Sequence, residues 1–164
     1  MKKLLLVAFL IITAAHGFGQ DFQVPKNLKM EKDEDFPKYN NDALKAIDWL
    51  AKTPYKKNDP KRIEVNSFLM RWMTGTPDVS IGVADYLSDL ADNGDLIMSF
   101  MAGWSKYALE TKDTDAVKSN LAGVEAVISF YKKNKEALGK NEAAEKFSKL
   151  KDDNKLEAFI KSKV

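Results

Sequence analysis

A Ser-x-x-Lys spacing occurs twice in this chain, at Ser129/Lys132 and Ser148/Lys151. One helical turn could then set a hydroxyl nucleophile beside an amine base, as in penicillin-binding enzymes, but the companion Ser-Asp-Asn and Lys-Thr-Gly motifs are absent. A chain this rich in lysine produces such pairs by chance. Acid pairs come next. Asp85 with Asp89, and Asp78 near the Gly75 to Gly82 loop, could serve carboxylate-based hydrolysis, which needs two acids about 5–10 Å apart across a cleft. Solvated helix faces account for them more simply. An EF-hand needs oxygen ligands at loop positions 1, 3 and 5 and glycine at 6. Asp113-x-Asp115 has Val117 at the third ligand position, and Asp92-Asn93-Gly94-Asp95 is too compressed, so both read as helix caps and turns. The spacing of Gly75 and Gly82 does not make a phosphate loop, and the Lys-Ser/Thr that should follow is missing.

The strongest exclusions come from residues the chain lacks. It has no cysteine and a single histidine, His16. His16 lies in an N-terminal segment laid out as a secretory signal: Lys2 and Lys3, an apolar run from Leu4 to Ile12, then small residues up to Gly19 before Gln20. The run is shorter than the ~20 residues of a membrane span. Cleavage after Gly19 is expected, with Gly17 as the second choice, which makes residues 1–19 a signal peptide and the product secreted or periplasmic. Without cysteine no lipid anchor can be attached there, so no membrane anchor is expected after cleavage. The product would have neither His nor Cys. That removes Ser-His-Asp and Cys-His catalysis, Cys/His zinc sites, histidine-ligated haem and disulfides. No cofactor or metal is expected.

Charge points the same way. Lys2 and Lys3 leave with the signal, turning 26 basic against 24 acidic residues into 24 of each. The basic excess therefore belongs to the export segment, and no nucleic-acid partner is implied. Removing 19 of 164 residues leaves 145, enough for one domain with a real core.

The elements that would position any site are helical throughout. Residues 20–39 read as a polar N-terminal arm, packed through Phe22, Val24 and Leu28 or else disordered, and residues 40–164 as the helical domain. A first helix covers Asp42 to Lys52, capped by Asn40 or Asn41 and ended by Thr53-Pro54. Asp59-Pro60 opens a second that runs to about Thr74 before Gly75. A third is expected from Ser80 to Asp92, with Val83, Tyr86, Leu87 and Leu90 on one face. A fourth spans Asp95 to about Glu110. The fifth, from Thr114 to Gly139, carries the stripe Val117, Leu121, Val124, Ile128, Tyr131. A sixth follows Asn141, and a short last one lies around Asp153 to Lys161. Connections this short make successive helices antiparallel hairpins. The expected fold is therefore all-α, an irregular array of about six antiparallel helices in one domain. The segment Trp104-Ser105-Lys106-Tyr107-Ala108 faintly resembles the first helix of a tetratricopeptide repeat, but a second copy in register is missing. Gly103 and Gly123, costly inside helices, suggest a close crossing of the fourth and fifth.

Trp49, Trp72 and Trp104, with Met70, Met73, Met98 and Met101, fall on apolar stripes that read as core or, alternatively, as a concave aromatic groove. The second helix is apolar on several sides, so it is expected to be buried from two directions. It also holds both arginines, Arg62 and Arg71. A structural ion pair is the first reading for them and recognition of an anion the second. Arg62, Arg71, Trp72, Trp104 and Tyr107 form the candidate binding surface, with no catalytic residue among them.

Two segments, Arg62 to Pro77 and Phe100 to Glu110, together with the signal ending before Gln20, resemble a family of short secreted uncharacterised helical proteins of Bacteroidetes-type Gram-negative bacteria. The resemblance implies export and an all-α fold, and brings no activity with it. The expected role is a secreted non-catalytic domain for protein–protein interaction or ligand binding, its partner another exported protein or a small ligand. The alternatives are a small-molecule or lipid carrier with an apolar cavity, and a carboxylate-based hydrolase.

Overall fold

The computed structural model describes residues 21–90 and 92–164, so the expected signal peptide lies outside the described residues. Among the described residues six α-helices follow one another: α1 (Asn40–Lys52), α2 (Pro60–Gly75), α3 (Gly94–Thr111), α4 (Ala116–Leu138), α5 (Glu142–Asp152) and α6 (Leu156–Lys161). Two 3-10 segments, Asp33–Tyr39 and Asp85–Leu90, complete the array, and no strand occurs among the described residues. The fold is all-α, as the periodicity predicts.

Helix starts follow the side chains able to satisfy free N–H groups. Asp59, Asn93, Asp115 and Asn141 each accept from backbone N–H groups of the first turn of α2, α3, α4 and α5. Asn40 departs from this rule. It lies inside α1, donates to Asp78 at 2.6 Å and accepts from the Trp72 indole at 3.2 Å, so its amide ties α1 to α2 and the loop beyond.

α3 and α4 form the central hairpin, with α1 and α2 on one side and α5 and α6 on the other. The expected crossing is there. A Cβ on Gly103 would stand 2.6 Å from the Ala122 carbonyl oxygen and 2.6 Å from Ala126 Cβ, and one on Gly123 would meet the Phe100 ring at 2.6 Å. Only hydrogen at both positions lets the backbones approach this far.

The expected third helix is corrected. Residues 79–84 are irregular, and a single 3-10 segment, Asp85–Leu90, stands in the place of an α-helix. Ile81, Gly82 and Val83 are poor helix formers in a row, and Val83 is 66% exposed. Leu87 and Leu90 remain buried because a three-residue spacing also lines up on a 3-10 turn. Tyr86 packs edge-on against Phe147 and Phe159 and donates to Asn120 at 2.6 Å.

Residues 21–39 lie on the helical body. Phe22 packs against Phe68, Met30 is buried, and the Phe36 ring occupies the space a side chain at Gly75 would need. This cover buries one side of α2 and α1 the other. Met70 is a correction to that picture: it is 40% exposed and belongs to neither contact.

Candidate functional site

The five residues of the expected binding surface do not form a surface. Trp72 is fully buried with its indole N–H on Asn40, and Trp104 is 6% exposed, edge-on to Phe100. Burying a large apolar ring is worth about 2–3 kcal/mol, so these rings go to the core. An aromatic groove built from the three tryptophans is thereby corrected, since Trp49 alone of them is partly exposed. Tyr107 donates to Asp113 at 2.8 Å near the α3–α4 turn.

The two arginines differ from expectation in an instructive way. Among the described residues neither has a carboxylate oxygen within 4.0 Å, so the ion-pair reading is corrected for both. Each instead holds a backbone carbonyl of a segment packed on α2. Arg71 donates to Met30 O at 3.2 Å, pinning the arm. Arg62, 5% exposed, donates to Thr53 O at 2.9 Å and Leu50 O at 3.5 Å at the end of α1. A cation there satisfies carbonyls that have no helical partner and meets the negative end of the helix dipole. Lys133 serves the same end from α4, donating to Ala51 O at 3.2 Å and to Lys52 O.

The Arg62 guanidinium also lies over three rings, 5.3 Å from the centroid of Phe130, 5.7 Å from Tyr55 and 6.0 Å from Trp49. Asn134 holds this cage in place. Its Oδ1 accepts from Tyr55 N at 2.8 Å, its Nδ2 donates to Phe130 O at 2.9 Å, and α4 departs from helical geometry at this residue (φ −121°). Burial pulls the Arg62 pKa below its ordinary value, opposed by the negative charges of Asp95 and Asp59.

Beside Arg62 opens a half-enclosed hollow of about 310 Å³ between α1, α3 and α4. Ile47 and Leu50 of α1 and Met98, Ala102 and Gly103 of α3 line it, faced by Ala126 and Phe130 of α4. Arg62 and Asp95 contribute to one end. Lys106, which pairs with Asp48 at 2.5 Å, stands at the other. The Lys106 hydrogen bond is the main cause that holds the Asp48 carboxyl below its usual range, and the same bond raises Lys106. Sequence reasoning selected Arg62 here but missed Asp95, Asp48 and Lys106. No local pattern marks these three, which come from α1 and α3 and meet only across the hollow.

The other sequence candidates turn out to be structural. Ser148 donates to Ala144 O at 2.8 Å, while Lys151 pairs with Glu125 at 2.7 Å and Lys132 with Asp152 at 3.3 Å. Asp113 accepts from Tyr107, Lys118 and Asp115 N, and its carboxyl is lowered to about 2, chiefly by Lys118. Asp115 caps α4. Asp85 and Asp89 are exposed on the 3-10 segment. Among the described residues no cluster of three His, Cys, Asp or Glu side chains could hold a metal, and no helix is long and apolar enough to cross a membrane. Comparison with protein-family models, with curated proteins and with solved structures yields no match.

Proposed function

We propose that the chain is an exported, non-catalytic helical binding domain whose ligand seat is the hollow between α1, α3 and α4. The observation that carries this reading is the hollow itself: preformed, mostly apolar, of ligand size at about 310 Å³, with a few charged groups at its ends. The export half rests on the Lys2 to Gly19 pattern. A carboxylate hydrolase finds less support. The carboxyls displaced from their usual range, Asp35, Asp48, Asp113 and Glu145, are all held low by lysine partners, whereas a general acid needs a raised one.

Ser129 is exposed at the rim of the hollow, and a ring placed there would plug it. Thermal unfolding of residues 20–164 with a neutral apolar probe, 4-methylpentanol, tests the seat. A saturable rise in Tm is expected for the parent chain and none for Ser129→Phe, because only a ligand bound to the folded state raises stability. An equal response in both chains, or none in either, sinks the reading.

A further inference from the structure

We propose that the Arg62–Asp95 end of this hollow reads the charged head of a free amino acid whose apolar side chain fills the remaining space. The inference rests on the hollow being the ligand seat and adds the chemical class of its occupant. Arg62 and Asp95 both line the cavity, carry opposite charges and are not ion-paired with each other. Lys133 also lines the hollow, its ammonium taken up by Ala51 O and Lys52 O, which leaves Arg62 and Asp95 as opposite charges held apart, a match for a ligand that itself carries both. A simple fatty acid would gain Arg62 but be repelled by Asp95, and a simple amine would meet the reverse.

Both groups have capacity to spare. Among the described residues Arg62 donates from Nη2, to Leu50 O and Thr53 O, although a guanidinium offers five N–H groups. Asp95 accepts a long hydrogen bond from Asn66 Nδ2, at 3.4 Å, and also engages the Tyr55 hydroxyl, which leaves further lone pairs of its carboxylate for a ligand. An ammonium brings three donors, and the Asp95 carboxylate, which lines the hollow, supplies the acceptors for them. The rings of Trp49, Tyr55 and Phe130 screen the Arg62 end from water, which strengthens charge recognition there. Size agrees as well. At ~30 Å³ per water-sized group, a hollow of about 310 Å³ takes roughly ten non-hydrogen atoms, the size of leucine or a little more.

Isothermal titration calorimetry on residues 20–164 decides the matter, with L-leucine and L-phenylalanine as probes. The comparators are 4-methylpentanoate and 3-methylbutylamine, which each keep half of the leucine head, and neutral 4-methylpentanol. At least one amino acid is expected to bind tenfold or more tightly than every comparator. Asp95→Asn, a change of nearly equal shape, is expected to erase leucine's advantage over 4-methylpentanoate while leaving 4-methylpentanol binding within twofold. Equal affinity for leucine and 4-methylpentanol, or an advantage that survives Asp95→Asn, would overturn the inference and leave the ligand seat standing. Failure of every probe, 4-methylpentanol included, would overturn both.

Discussion

Gly103 and Gly123 face each other where α3 crosses α4, so closely that a Cβ on Gly103 would lie 3.1 Å from Gly123 Cα. An added methyl at Gly103 presses on the Ala122 carbonyl oxygen, whereas at Gly123 it meets the fully buried Phe100 ring at 2.6 Å and the Phe100 carbonyl oxygen at 3.0 Å. Propensity alone would make either Gly→Ala change stabilising by about 1 kcal/mol. Overpacking is expected to reverse that sign at both positions, at a cost of about 1–3 kcal/mol each. Urea unfolding of both variants checks it, and a more stable Gly103→Ala chain contradicts the crossing.

Arg62 is expected to matter for its carbonyl contacts and not for a salt bridge. Arg62→Met keeps an apolar stem among Trp49, Tyr55 and Phe130 but leaves Thr53 O without its donor. A loss of about 1–3 kcal/mol is expected from that orphaned acceptor. Because no surface ion pair is involved, the loss should be the same at low and high salt. A deficit that shrinks strongly in salt would point to a charge partner that the geometry lacks.

Asn134 links α4 to the segment after α1, and Asn134→Ala removes the acceptor for Tyr55 N. A cost of about 1–3 kcal/mol is expected, together with faster amide hydrogen exchange at Tyr55. Unchanged exchange at Tyr55 would show that the bridge does not hold this loop.

Tyr86 supplies the pH prediction. Burial pushes its phenol up from 10.0 to about 12. Between those values the unfolded chain has released the proton and the folded chain has kept it. Stability is therefore fully present below about pH 10 and falls as pH rises towards 12, by about 1 kcal/mol once solvent screening of this half-buried group is discounted. Tyr55 and Tyr107 are raised as well, so absorbance at the phenolate band should show several late-titrating tyrosines, and Tyr86→Phe should remove the latest step. An unaltered titration in that variant would assign the late step elsewhere.

Export is checked by intact mass. Expressed in a Gram-negative host, the chain is expected outside the cytoplasm with Gln20 as its first residue. Full-length protein retained in the cytoplasm would remove the export half of the proposed function.

The helical content was legible because its signals are local. Asp59-Pro60, Asn93, Asp115 and Asn141 act within their own first turn, and such caps operate whatever the turn later packs against. The crossing at Gly103 and Gly123 was legible for a related reason: two costly glycines inside helices require a close neighbour. The segment from Ser80 to Asp92 misled because a three-residue spacing of leucines suits both an α-turn and a 3-10 turn, and Gly82 between two β-branched residues favours neither helix.

Tertiary structure alone decided the rest. That Arg62 would hold the end of α1, that Asn134 would bring Tyr55 to it, and that Asp95 would stand near without pairing depend on residues far apart in the chain. Side-chain type states what each group can bond. Which carbonyl, ring or empty space it meets is set only when α1, α3 and α4 pack, since the hollow between them belongs to no single helix.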